Sequence, residues 1–194
     1  MADDVVLETA RLRLRNWREG DSRRFYDIMN TPAVMENLGG VQTFEKWSEA
    51  HERLQGYARD FGHTFWIVET HDGEMQGFCG LKTINYQGAG PLTGTPEIGW
   101  RLRESAWGKG YAKEAAMASL DHGFEHVGYE RICAITVASN VPSWGLMERL
   151  SMRRTPEWDY EDPTFSPTYG TIMVWIMDKA DWPTARAKAL APKA

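Results

Sequence analysis

Residues 97–137 constrain the fold more than any other part of the chain. The strand-like segment "EIGWRL" runs through a glycine-rich turn, "RESAWGKGYAKEA", into a helical pattern from Lys109 to Val127. The chain then returns as "RICAITVA", a nearly continuous apolar run. A strand that apolar belongs in the middle of a sheet, covered on both faces. The helix collects Ala112, Ala115, Ala116, Ser119, Leu120 and Phe124 on one face, and Gly128 stands where a left-handed C-terminal cap is expected.

Other periodicities place strands and helices around this segment. In "ARLRLRNW", Leu12 and Leu14 alternate with arginines, a period of two that marks a half-buried strand. Asp21 is expected to cap a helix carrying Phe25, Ile28 and Met29, which Pro32 stops, and "PAVMENLGG" reads as a loop. Thr43 is expected to cap a second helix with Phe44, Trp47, Leu54 and Ala58 at helical spacing and Gly62 past its end. "TFWIVET" and "GFCGLKTI" form a hairpin about Asp72-Gly73, and "NYQGAGPLTGTP" is a loop. Gly99 inside "EIGWRL" marks a bulge or a close backbone approach. A short helix follows Pro142 with Leu146 and Leu150 inward, "TIMVWIM" is a last strand, and residues 183–194 read as a loose tail. The order describes an α/β (α+β) protein, one mixed sheet with helices on both faces, in a single domain spanning residues 1–194.

Charge and composition narrow the partners. A net charge of −5 with no basic block argues against nucleic acid. No apolar run resembles a signal peptide or is long enough to span a bilayer, so the reading is a cytoplasmic chain with no membrane partner. Cys79 and Cys133 sit in apolar, strand-like stretches without CxxC spacing and read as buried, reduced thiols.

The glycine-rich turn admits two readings. Every helix start exposes N–H groups and a partial positive charge, and Gly108 and Gly110 remove side chains that would hold an anion away. A strand leading straight into such a turn makes a pyrophosphate site. Two other phosphate motifs do not match. A Walker loop needs Ser or Thr where Tyr111 follows Lys109-Gly110, and a dinucleotide fingerprint needs Gly or Ala where Lys113 stands. Taken alone, the turn fits a structural helix start as well as a phosphate cradle.

Over residues 97–152 the chain resembles the GNAT acyl-CoA N-acyltransferases, most closely the branch that includes the enzymes acetylating ribosomal-protein N-termini. The family turn, Gln/Arg-x-x-Gly-x-Gly/Ala, reads here Trp107, Gly108, Lys109, Gly110, Tyr111, Ala112. The family's Asn-x-x-Ser is present as Asn140 and Ser143. Its "EKLGF" ending appears as "ERLSM", with Ser151 and Met152 in place of the glycine and the aromatic. The resemblance implies a mostly antiparallel sheet splayed between "EIGWRL" and "RICAITVA", with acetyl-CoA as donor and no metal. It also implies that the pantetheine arm pairs with backbone of Trp100 and Leu102, that the pyrophosphate rests on Trp107 to Ala112, and that Asn140 bonds the arm. The acceptor is an amine, either a small molecule or a protein N-terminal α-amine, walled by "PAVMENLGG", residues 86–96 and residues 155–169. A homodimer is kept as a further arrangement.

Acyl transfer to an amine needs a proton acceptor, an oxyanion donor and a proton for the leaving thiolate. Glu97, at the start of its strand, is the candidate base, against an exposed strand-end carboxylate as the plain alternative. Ser143 is the candidate acid, because Trp144 and Met147 stand where many family members have a tyrosine. Helix capping is the competing explanation for Asn140 and Ser143. Backbone N–H near Gly99 and Trp100 is the candidate oxyanion donor. A non-catalytic acyl-CoA sensor would keep the turn and need neither Glu97 nor Ser143. "HGFEH" resembles a zinc-peptidase order with His122 and His126 one turn apart, but no third ligand follows. Cys133 has no partner histidine at a readable spacing, and Trp158, Tyr160, Phe165, Tyr169 and Trp175 read as core plus one acceptor wall.

Overall fold

The computed structural model describes residues 4–85 and 89–191. Its strands are β1 (Val5–Glu8), β2 (Leu12–Arg15), β3 (Phe65–Thr70), β4 (Met75–Thr83), β5 (Pro96–Leu102), β6 (Arg131–Thr136), β7 (Arg153–Arg154) and β8 (Met173–Asp178). Its helices are α1 (Asp21–Met29), α2 (Pro32–Met35), α3 (Phe44–Phe61), α4 (Tyr111–Asp121), α5 (Val141–Arg149), α6 (Ser166–Tyr169) and α7 (Trp182–Leu190). The strands form an eight-stranded sheet in the order β1-β2-β3-β4-β5-β6-β8-β7. The pairs β1-β2, β2-β3, β3-β4, β6-β8 and β7-β8 are antiparallel, and β5-β6 is parallel. The expected mixed, mostly antiparallel α/β sheet is therefore present. The chain divides into two compact units, Met1–Lys82 with Gly99–Ser119, and Thr83–Ile98 with Leu120–Ala194.

The first unit is built on stacked aromatics. Phe25 of α1 lies 4.8 Å from Trp47 of α3 and 5.2 Å from Phe78 of β4, with both ring pairs nearly parallel. Thr43 caps α3 as expected, its hydroxyl accepting from Lys46 N–H, and Gly62 closes the helix with a φ of 80°. The Asp72-Gly73 hairpin is also present, with Thr70 N–H bound to Glu74 O. Two expectations fail. Asp21 does not cap α1, because Gly20 holds that position and the Asp21 carboxylate is drawn to buried Arg15 (2.6 Å), which also binds Glu69 (2.7 Å). "PAVMENLGG" is not loop throughout. Thr31 accepts from Val34 N–H and Pro32 occupies the first turn, so residues 32–35 form α2.

The second unit packs Ile84, Leu92, Cys133, Val174 and Ile176 together, with Trp158 and Tyr160 against them. Past α4 the helix widens into a π-helical stretch, His122–Val127, which Gly128 ends at a φ of 85°. The loose tail expected over 183–194 is instead helical to Leu190. Trp182 and Arg186 both donate to Asp121, at 2.8 Å each, while Ala185 and Ala189 are buried. Residues 192–194 lie outside the described residues.

Candidate active site and cofactor turn

In the first unit, β5 delivers Trp100, half-buried, and Leu102, buried, into a 3₁₀ turn at Glu104–Ala106 and then into the glycine segment. The indole of Trp107 reaches back and donates to Leu102 O at 2.8 Å, pinning the turn to the strand end. Gly108 and Gly110 both adopt left-handed backbone, with φ of 72° and 79°. A Cβ on Gly108 would meet nothing within 4 Å, so the space beside its Cα is open. Glu114 N–H bonds Gly110 O at 3.1 Å and closes the first turn of α4. Lys109 is exposed, and Tyr111 and Ala112 are half-buried.

A residue that sequence reasoning missed latches this turn. Arg11 donates through Nε to Glu114 Oε2 (2.7 Å) and through Nη1 to Lys109 O (2.9 Å), and its guanidinium lies 4.9 Å above the Tyr111 ring. Its Nη2 comes within 3.4 Å of where a Cβ on Gly110 would sit. Thr9 adds a hydrogen bond to Glu114 Oε1 at 2.7 Å. Burial pushes the Glu114 carboxyl up, but the bonds from Thr9 and Arg11 outweigh it and hold the group below its ordinary value. Arg11 lies 98 residues before Lys109, where it reads as one cation of an alternating strand, so no local signal could have found it.

Gly99 resolves to a close approach, with no bulge needed. A Cβ there would stand 2.6 Å from Cζ of Phe65. Cys79 is a sealed thiol 3.7 Å from the Ser119 hydroxyl, with burial pushing it up to about 12.

In the second unit, Glu97 is 7% exposed and pairs in register with Cys133 across β5 and β6, so it is not an exposed strand-end carboxylate. Asn140 precedes α5 with no side-chain capping bond. Its carbonyl accepts from Ser143 N–H (3.1 Å) and Trp144 N–H (3.3 Å). Ser143 is half-buried in the first turn, and the Trp144 indole donates to Ala138 O at 3.1 Å. Capping by the Asn140 side chain is thus not what holds this helix start. Trp158, Tyr160 and Trp175 are committed to packing, with Arg131 over the first and Arg154 over the last. Among the described residues no three His, Cys, Asp or Glu side chains gather to hold a metal ion. No helix among them is long and apolar enough to cross a membrane.

A mixed sheet whose strand feeds a left-handed glycine turn at a helix start suits a protein that grips a phosphate-bearing ligand there, and comparison with known proteins supplies the family. Residues 11–153 match the model of the acetyltransferase (GNAT) domain, and the chain belongs to that family. It is an acetyltransferase, and members of the family move an acetyl group from acetyl-CoA to an amine. Among its relatives, the uncharacterized N-acetyltransferase YnaD of Bacillus subtilis (strain 168) is 43% identical over 149 residues, 76% of this chain and 82% of the relative. An acetyltransferase from Agrobacterium tumefaciens str. C58 superposes with a TM-score of 0.74 at 25% identity, covering 88% of this chain and 92% of that one. At 18% identity the fold is also that of the spermidine N-acetyltransferase from Vibrio cholerae, solved in complex with CoA and spermine. The TM-score there is 0.67, with 90% and 99% of the two chains covered.

Proposed function

We propose that the chain is one acetyltransferase domain in which an amine attacks acetyl-CoA directly, in a ternary complex. The observation that carries this reading is the pair of left-handed glycines ahead of α4, with open space beside Gly108. Backbone N–H groups from Gly108 to Ala112 hold the pyrophosphate, and Trp107 keeps them in place through its bond to Leu102 O. The Leu102 carbonyl retains a second lone pair for the pantetheine arm, beside the backbone of Trp100. Asn140, whose side chain is not spent on capping, bonds the same arm.

Primary amines are mostly protonated at neutral pH, so the attacking nitrogen must first lose a proton. Glu97, carried in the buried start of β5, accepts it directly or through one water. The carbonyl oxygen becomes an oxyanion held by backbone N–H near Gly99 and Trp100. Ser143 protonates the departing thiolate. The acceptor is a small-molecule amine or a protein N-terminus, as in the ribosomal-protein branch. Tyr86, Gln87 and Gly88, part of the acceptor wall read over 86–96, lie outside the described residues.

Thiol release from acetyl-CoA across a panel of amines and peptides tests the reading. Glu97→Gln is expected to lower kcat about 100-fold, with the Kd for CoA within a factor of about three. Unchanged turnover would remove Glu97 from the mechanism. CoA binding without release for every acceptor would leave an acyl-CoA sensor.

A further inference from the structure

The first unit sinks two arginines, and it treats them differently. Arg15 is 2% exposed and is gripped by Asp21 and Glu69. Arg101 of β5 has no carboxylate within ion-pair distance among the described residues. Its Nη1 approaches only the sulfur of Met35 at 3.8 Å, its guanidinium lies 5.3 Å from the Phe78 ring, and its Nε is sealed from solvent with no hydrogen-bond partner. The residue keeps some exposed surface while the guanidinium is desolvated, and burial pulls its pKa down to about 10. A thioether and an aromatic face do not replace the hydration that an arginine loses.

Arg101 lines a cleft where α1, α2 and the segment before α3 meet. Its walls include Met35 and Trp47, and its interior of about 10 Å³ is room for one water-sized group. Its polar side is rigid. Tyr26 Oη and Asn30 Nδ2 both donate to Gln42 O at 2.8 Å, and Gln42 N–H donates to Asn30 Oδ1 at 2.9 Å. Tyr26, Asn30 and Gln42 also line an open groove that carries Lys46, a second cation. Met35 belongs to the 32–40 segment read from the sequence as an acceptor wall.

We infer that Arg101 is the anchor for a carboxylate on the acceptor, so that the preferred substrates are amines that also carry a carboxylate. This rests on the reading of the chain as an amine acetyltransferase and narrows its acceptor class. One carboxylate oxygen fits the space beside the guanidinium and accepts a charge-assisted hydrogen bond there, which supplies the counter-charge the fold omits. The same cation repels a polyamine. The carboxylate comes either from a free amino acid or from an acidic side chain near a peptide N-terminus.

Matched pairs decide it: glycine against glycinamide, glutamate against glutamine amide, and the peptides Ser-Asp-Ala-amide against Ser-Asn-Ala-amide, with spermidine as the cationic extreme. The carboxylate member of the amino-acid or of the peptide pair is expected to show kcat/KM about 30-fold above its neutral partner, and which pair responds assigns the source. In Arg101→Met the preference collapses to within about threefold, while Arg101→Lys keeps part of it and the Kd for CoA does not change. Thermal shift gives a readout independent of turnover. N-acetylglycine or the acetylated Ser-Asp peptide raises the Tm of the wild-type chain and not that of Arg101→Met, even if no acceptor is acetylated. Equal use of both members of every pair, spermidine as the best acceptor, or a preference that survives in Arg101→Met would overturn the assignment.

Discussion

Ser151 has a φ of 60°, alone among the described non-glycine residues in the left-handed region. It sits just past α5, where its N–H bonds Glu148 O (2.8 Å) and Met152 N–H bonds Met147 O (2.9 Å), a Schellman closure. The family glycine that stands here is therefore a backbone requirement, and the serine meets it with strain, its hydroxyl buried without a hydrogen bond. Ser151→Gly is expected to stabilise the fold by about 1 kcal/mol and raise Tm by roughly 2–4 °C, read by thermal melting. Ser151→Val should melt lower than wild type, because a β-branched side chain resists this region most.

At the scale of elements, the start of α4 is held by the latch of Thr9, Arg11 and Glu114, which ties the β1-β2 segment to the turn. The Glu114 carboxyl is held below its ordinary value of 4.5, so it binds fewer protons in the folded chain than in the unfolded chain. Its contribution to stability is present above pH 4.5 and is lost as pH falls through the lowered folded value. Stability of the wild-type chain is expected to drop more steeply below pH 4.5 than that of Glu114→Gln, a comparison made by urea unfolding at pH 3 to 6. On the same element, Gly110→Glu should abolish CoA binding. The φ of 79° strains any side chain, and the new carboxylate faces the diphosphate. A folded Gly110→Glu variant with intact affinity would end the reading of this turn as a cradle.

At the scale of the molecule, each unit has its own core, and the first carries the ionic burden. Arg15, Asp21 and Glu69 come from β2, α1 and β3, and their ion pairs tie those elements together inside an otherwise aromatic core. Arg15→Ala strands two carboxylates and should cost about 3–5 kcal/mol, with Tm lower by roughly 10 °C. Arg101→Met removes a desolvated cation that has no carboxylate beside it among the described residues, so it should melt higher than wild type by a few degrees, on the order of 1 kcal/mol. Opposite signs for two arginines of the same unit would be visible in one set of calorimetric scans.

Local chemistry was enough for much of this. Period-two alternation gave β2, β-branched and aromatic enrichment gave β3, and the Thr43 and Gly62 caps bounded α3. The apolar run at 131–138 and the glycine turn identified the family's central elements, because each signal acts within a few residues along the chain. The tail was read as loose, although alanines four residues apart, Ala185 and Ala189, already describe a buried helical stripe. Tertiary structure alone decided that Arg11 braces the glycine turn, that Asp21 serves Arg15 instead of capping, that Glu97 is buried opposite Cys133, and that Arg101 has no carboxylate beside it among the described residues. Those facts depend on which distant side chains meet and on what water is removed when they do. Electrostatics between residues tens of positions apart leave no periodic trace in the order of the amino acids.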